Sequence, residues 1–334
     1  MQYFFLCFCT LAFILMAGPA PAFDFFDAIE IEAAGIEMDA GYRSDQLDWN
    51  IAGDLDGSNP NVLSELTWED LETFQVQANG WLELGELPFL KRNTMLLGNI
   101  SFGKILGGNV QDSDYAVDDR GLEWSRSVNG ADKGMTADLS GAIGPVWQPS
   151  QVAGMTVTPL IGYGFNMQAL YMTDGNQQMS DPFIRLLFFG IDAELPPDEG
   201  PIAGLDSSYT SYWYGPWLGL NVDYAANDRI KLTLGFEYHW VEYFAQADWN
   251  LRSDFAHPVS FEHEAEGVGI VWSFKGRYQL NAEWAMLLRG KIQTWEAEQG
   301  TDRTYFSDGG VSVTRLNTVS WDSYALTTGL EYRF

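Results

Sequence analysis

The last eleven residues, YALTTGLEYRF, constrain the fold of this chain more tightly than any other segment. Tyr324, Leu326, Thr328, Leu330, Tyr332 and Phe334 share one parity; Ala325, Thr327, Gly329, Glu331 and Arg333 share the other. Period two belongs to an extended strand, because successive side chains of a strand leave on opposite faces. One face is apolar with aromatics at its ends and the other is small or charged, the pattern of a strand held between lipid and a polar lumen.

Residues 212–224 repeat the pattern, with Tyr212, Tyr214, Pro216, Leu218, Leu220, Val222 and Tyr224 alternating with Trp213, Gly215, Trp217, Gly219, Asn221 and Asp223. Ala225-Ala226-Asn227-Asp228 then reverses the chain, and Ile230, Leu232, Leu234, Phe236, Tyr238 and Trp240 alternate with Arg229, Lys231, Thr233, Gly235, Glu237 and His239. Aromatics at both ends of each run mark the two interfacial girdles of a bilayer, and the four-residue connection marks a tight periplasmic hairpin turn. Similar alternation at 31–42, 74–84, 96–102, 135–147, 155–171, 268–280 and 284–292 completes ten strands. The apolar run at 182–195 leaves twelve as an alternative. Long connections at 43–61, 107–134, 172–206, 245–260 and 297–315 alternate with short ones. The expected fold is an all-β, antiparallel, up-and-down transmembrane barrel with long extracellular loops, short periplasmic turns and both ends in the periplasm.

Composition agrees. Residues 1–22 contain no Lys, Arg, Asp or Glu, and the apolar run 4–16 ends in Ala20-Pro21-Ala22, which reads as a secretory signal removed after Ala22, leaving 23–334 as one barrel domain. The run is shorter than the ~20 residues of a membrane-spanning helix, so a retained helix is the weaker alternative. Cys7 and Cys9 both lie in that segment, so the barrel domain has no thiol for a disulfide, a zinc cage or a nucleophile. The formal charge of −28 argues against a nucleic-acid partner and for divalent cations or basic peptides. No later segment offers ~18 consecutive apolar residues, so any crossing is made by strands, which places the chain in the outer membrane with outer-membrane lipid around it. Inward charges of both signs, among them Asp138, Asp223, Lys231, Glu237, Lys275, Arg277, Arg289 and Lys291, predict a paired polar core filling the lumen. That disfavours diffusion, because only barrels of ~16 strands leave an open channel.

The stretch NVQDSDY puts Asp112 and Asp114 one residue apart just past the expected outer end of the third strand. Two extended residues return to the same face ~6.6–6.8 Å apart, a span in which two carboxylates can hold one water or one cation. Alone, the pair also fits a solvated acidic loop in a chain with 46 Asp and Glu.

Around this pair the sequence resembles the omptins, ten-stranded outer-membrane proteases. SELTW (64–68), GGNVQDSDY (107–115), GFEYHWVE (235–242) and the ending GLEYRF are similar to segments of that family. The resemblance covers nearly the whole barrel in strand order and implies an extracellular cleft in which two aspartates face an Asp-His pair and activate a water. Asp112 and Asp114 match the first half. The second half falls near Ala247 and Trp249, or with a one-residue shift at Asp248 and Asn250, and neither register supplies a histidine. A histidine titrates near neutral pH unperturbed, so its loss removes proton-transfer catalysis worth about 10²- to 10⁴-fold. Among the three histidines, His239 reads as a lumen residue paired with Glu237, His257 as a surface residue near Asp254, and His263 as part of a solvated acidic rim. The family also binds lipopolysaccharide through basic outer-wall residues, a motif not matched among the 18 Lys and Arg here.

Asp54, Asp56 and Asn59 surround a turn glycine as the oxygen ligands of a Ca²⁺ loop would, although the rest of an EF-hand is missing, and the other reading is an acidic turn. Taken together, the sequence predicts an omptin-like barrel whose acidic cleft binds cationic peptides or cations with peptidase activity lost or reduced. The alternatives are an active endopeptidase using Asp112 and Asp114 with Asp248, His239 or His257 as base, and a narrow channel.

Overall fold

The computed structural model describes residues 30–86, 91–191 and 193–334; the expected signal at 1–22 lies outside them. Eleven strands appear: β1 (Ile31–Ile51), β2 (Ser64–Leu84), β3 (Thr94–Val117), β4 (Gly121–Gly130), β5 (Gly134–Pro145), β6 (Met155–Ser180), β7 (Gly200–Ala225), β8 (Ile230–Asp248), β9 (Phe261–Gln279), β10 (Trp284–Tyr305) and β11 (Val311–Arg333). One helix, α1 (Pro182–Phe189), separates β6 from β7. Every pairing is antiparallel, and β1 closes on β11. Between β3 and β6 one place is shared: β4 pairs with their outer halves and β5 with their inner halves, so the ring has ten positions. The apolar run at 182–195 supplies α1 instead of a strand pair, which removes the twelve-strand alternative.

Crossing hydrocarbon takes ~9–11 tilted residues, but nine of these strands hold 19 to 26. The barrel therefore projects well beyond the bilayer, and much of the sequence expected as loops at 43–61, 107–134, 172–206 and 297–315 is ladder. Those segments hid because the polarity of the two faces exchanges along the barrel. In the membrane-spanning half the outward face is apolar, with Phe74, Val76, Leu218, Leu234, Ile292 and Leu326 exposed, while Arg43, Asp45, Gln75, Gln77 and Asp138 are buried inside. Above it the inward face turns apolar, with Leu47, Trp49, Leu66, Trp68, Ile105 and Val110 buried, and the outward face meets water. An outward face no longer in lipid gives no apolar alternation to read.

Trp213, Trp295 and Trp321 are fully buried and pack with centroids 5.4 to 6.3 Å apart, closing the lumen at mid-height. Such aromatic pairs contribute about 0.5–1.5 kcal/mol each beyond the area they bury. Below them Arg43 pairs with Asp45 and Asp138, each at 2.8 Å, Lys275 with Glu37 at 2.6 Å, Arg277 with Glu331 at 2.5 Å, and Arg289 with Glu37. Mutual pairing offsets the several kcal/mol that each buried ion would otherwise cost. The expected paired polar core is present, with a cavity of about 340 Å³ remaining in the periplasmic half.

In β2 and β3, breaks in register fall near the change of polarity. In β2 the inward residues are Leu71, Thr73, Gln75 and Gln77 below the break and Leu66 and Trp68 above it, with Asp70 at φ 52° between. In β3 the inward parity moves from Ser101 and Ile105 to Val110, across Gly107-Gly108. Gly108 has φ 142°, and a Cβ there would stand 2.8 Å from Leu71 Cδ2 and 3.1 Å from Asp70 O. Positive φ of this kind is essentially open to glycine alone. Gly108→Ala should therefore cost about 1–3 kcal/mol, whereas Gly107→Ala, whose Cβ meets only Glu72 Oε2 at 3.6 Å, should stay within about 0.5 kcal/mol. Urea unfolding of the barrel in detergent checks the difference; equal effects would remove the role given to the bulge.

Candidate functional site in the extracellular cleft

The bulge at Gly107-Gly108 determines where the acidic pair points. Had β3 kept the parity of Ser101 and Ile105, Asn109, Gln111 and Ser113 would face inward. The shift instead turns Val110, Asp112 and Asp114 to the interior. Asp112 lies across from Leu66 and Ser127, and Asp114 across from Ser64 and Ser125. Both aspartates are half-buried within β3 and are not past its end as expected. Just above them, Tyr115 Oη donates to Glu65 Oε1 at 2.7 Å and Arg120 pairs with Glu65 at 2.8 Å, which fixes the outer end of β2 against the β3–β4 turn.

Two arginines act on the pair through their charge. Helix α1, capped by Asp181 accepting from the Ile184 amide at 3.0 Å, packs on β3 and β4. Its Arg185 stacks on Trp124 at 4.7 Å and Phe189 at 4.4 Å and donates to the Glu194 carbonyl at 3.1 Å. From the connection at 249–260, Arg252 donates to both carboxylate oxygens of Asp254 at 2.9 and 2.8 Å, lies 3.4 Å from Glu194 Oε2 and stacks on Phe255 at 4.0 Å.

Recession from solvent pushes the Asp112 carboxyl well above the ordinary aspartate range, and the neighbouring Asp114 adds to the shift while Arg252 opposes it. Burial also raises Asp114, against a hydrogen bond from Ser64 and the charges of Arg252 and Arg185. Burial likewise lowers Arg185, although Asp114 counters it. Asp254 moves the other way: despite desolvation, its hydrogen bonds from Arg252 and Glu194 bring it down to about 2.

No imidazole stands opposite. Ala247 and Trp249 point inward and are buried, with Trp249 packed on Phe261 at 4.7 Å. Asp248, with the opposite parity, faces outward and receives His257 Nδ1 at 2.6 Å. His257 is thus partnered by Asp248, because Asp254 is taken by Arg252. Asn250 accepts from the Asp206 amide and Ser207 Oγ, each at 3.0 Å, and so serves to tie β7 to β8. His239 is buried beside Glu237 at 2.9 Å, as expected of a lumen residue. His263 is fully buried, which corrects its expected place on a solvated rim: its Nδ1 meets Tyr209 Oη at 2.9 Å, its Nε2 lies 3.3 Å from Asp302, and Tyr209 Oη meets Tyr243 Oη at 2.5 Å. All three histidines are described, and none forms a hydrogen bond or ion pair with Asp112 or Asp114.

The loop of Asp54, Asp56 and Asn59 closes on itself. Asp54 accepts from the Ser58 amide at 2.9 Å, Ser58 Oγ at 2.9 Å and Asn59 Nδ2 at 2.8 Å, and these bonds, led by the backbone one, hold its carboxyl at about 2. The Asp56 carbonyl accepts from Arg315 at 3.2 Å. Among the described residues, no group of three or more His, Cys, Asp or Glu side chains is arranged to hold a metal ion.

Sequence reasoning located Asp112 and Asp114 but missed Arg185 and Arg252. Their only signal was that each is a cationic residue in an expected loop of a strongly acidic chain.

A closed ten-position ring with a lipid-facing apolar wall defines an integral outer-membrane β-barrel. The chain belongs to the Protochlamydia outer membrane protein family, whose model matches residues 37–334. No curated protein matches it. Among solved structures it is similar to the outer membrane protease OmpT from Escherichia coli, with 14% identity, 92% of this chain and 98% of that chain covered, and a TM-score of 0.68. It also matches the translocator domain of the autotransporter NalP from Neisseria meningitidis at 11% identity and a TM-score of 0.34, covering 90% and 88% of the two chains. At such identities the likeness to OmpT is one of fold.

Because its folded pKa is raised, Asp112 contributes stability that is fully present below the ordinary aspartate value of 3.8 and is lost as pH rises through the raised value. Asp112→Asn should therefore stabilise the outer half at neutral pH and flatten the dependence of the urea midpoint on pH from about 4 upward. A variant whose midpoint tracks that of the parent across this range would contradict the assigned burial.

Proposed function

We propose that this outer-membrane barrel uses its acidic rim cleft to bind cationic peptides and does not hydrolyse them. The observation that carries the reading is the inward turn of Asp112 and Asp114, brought about by the Gly107-Gly108 bulge, at a cleft whose opposite wall carries Ala247 and Trp249 where omptin-like catalysis would need an Asp-His pair. Two recessed carboxylates attract a guanidinium or ammonium, and the net charge of −28 steers such ligands to the cell surface. Without an imidazole in contact with the pair, a water held there lacks the base that proton transfer requires.

Support against a channel comes from the packed cluster of Trp213, Trp295 and Trp321 above the ion-paired lumen. Planar bilayers containing the purified protein should remain electrically silent, and steady conductance steps would favour the channel instead.

Peptide binding is tested with a fluorescent Arg-Arg peptide and the full barrel in detergent. Asp112→Asn combined with Asp114→Asn should weaken binding at least tenfold, about 1.4 kcal/mol, with the peptide recovered intact by mass spectrometry. Cleavage of the peptide that disappears in Asp112→Asn would establish an endopeptidase and refute the reading.

A further inference from the structure

We infer that the polar cavity in the periplasmic half of the lumen is a binding site for a small phosphate-bearing anion, with Lys291 of β10 as its central cation. The site is independent of the rim cleft, which lies beyond the tryptophan cluster at the other end of the barrel. At about 340 Å³ the cavity is of the size of small-molecule pockets, roughly 300–1,000 Å³. Trp213, Trp295 and Trp321 close the lumen above it. Its lower end is lined by Trp81, Glu83 and Arg333, at the periplasmic ends of β2 and β11, and Arg333 is exposed. A solute reaches it from the periplasm and goes no further.

The charge presented to this cavity by β9 and β10 is opposite to that of the chain. Lys275, Arg277 and Arg289 keep 23, 14 and 17% of their side-chain surface accessible, whereas Glu37 and Glu331, which pair with them, keep 2 and 3%. In each pair the carboxylate is the covered partner and the cation the one that water meets. Lys275 and Arg289 lie directly across from one another and share the single carboxylate of Glu37. Asp39 stands 3.6 Å from Arg289, but Gln77 and Asn79 donate to it as well. The more accessible carboxylates, Asp223 and Glu237, belong to β7 and β8 and are engaged by Lys231 and His239.

Lys291 completes the cationic wall without a counter-ion. It lines the cavity one inward position above Arg289 and forms no hydrogen bond or ion pair with any described residue. Its neighbours across the ladders are Ser273 and Ala325, so neither adjacent strand brings a carboxylate to its level. Leu288 and Ile292, on the outward face of the same stretch, are exposed on the lipid wall, which puts Lys291 at the depth of the hydrocarbon. An ammonium at that depth is costly without an anion beside it, and ionisable groups retained there mark sites for ions or substrates. A phosphate monoester brings a charge of about −1.5 to −2 and three strong acceptor oxygens, which Lys291, Lys275 and Arg289 can meet together. Gln75, Asn99, Ser101 and Ser140 line the same cavity from β2, β3 and β5 and offer amides and hydroxyls to the rest of such a molecule.

Titration calorimetry on the full barrel, in non-ionic detergent and a chloride buffer, tests the site with inorganic phosphate, glycerol phosphate and glycerol. The parent should bind a phosphate-bearing ligand with Kd below about 1 mM. Tighter binding of glycerol phosphate identifies an ester as the ligand class and tighter binding of inorganic phosphate the free ion; either supports the site. Lys291→Gln and Lys291→Met should each weaken that binding at least tenfold, and Lys291→Arg should stay within about threefold of the parent. Lys104→Gln removes the same charge from an exposed position on the outer wall and should bind as the parent does. The shift in electrophoretic mobility on heating shows which variants are folded. No saturable binding of either phosphate by the folded parent overturns the inference. So does parental affinity in the folded neutral variants of Lys291, an equal loss in Lys104→Gln, or glycerol binding as tightly as its phosphate.

Discussion

Everything in this molecule follows from the need to satisfy each backbone N–H and C=O in a medium that offers no water. A sheet solves that problem in lipid only by closing on itself, since any free edge would leave a row of unpaired groups at several kcal/mol each. The pairing of β1 with β11, from Gly35 opposite Arg333 to Ile51 opposite Leu316, achieves the closure. Once the ring exists, side-chain parity has only two destinations, wall or lumen, and the polarity of each face is decided by what lies outside it.

The two halves of the cylinder answer that demand in opposite ways. In the membrane the wall is greasy and the interior holds ion pairs around Arg43, Glu37 and Arg289. Above it the interior is a conventional apolar core built on Trp49, Trp68, Trp213 and their neighbours, and the wall is wet. Some strands, such as β1 with Arg43, Asp45, Leu47 and Trp49, keep one inward parity throughout, whereas others slip, and the left-handed residues Asp70, Gly108, Asp174 and Gln299 sit at or beside breaks in the ladders. A purely structural device of this sort therefore determines the chemistry of the rim: one extra residue in β3 moves two carboxylates from solvent into the cleft.

The cleft combines charges that would be costly apart. Asp112 and Asp114 repel one another in a recess, and the arginines from α1 and from the 249–260 connection relieve the repulsion. Arg252 is held by the carboxylates of Asp254 and Glu194, and Arg185 by the Glu194 carbonyl and the rings of Trp124 and Phe189.

The sequence by itself determined the barrel and ten of its strands, because lipid on one side imposes an alternation that needs no knowledge of other strands; that the apolar run at 182–195 forms α1 and not a further strand pair was decided by the structure. It also marked Asp112 and Asp114 and the lack of a histidine at 247–250. Where the wall leaves the bilayer that signal ends, so the extracellular halves of β1, β3, β6 and β10 read as loops and His263 read as exposed. The parity change at Gly108, the outward turn of Asp248 toward His257 and the arrival of Arg185 and Arg252 beside the pair were settled by tertiary structure alone. They depend on bulges, loop closures and ion pairs between residues distant in the chain, and local spacing carries no record of those contacts.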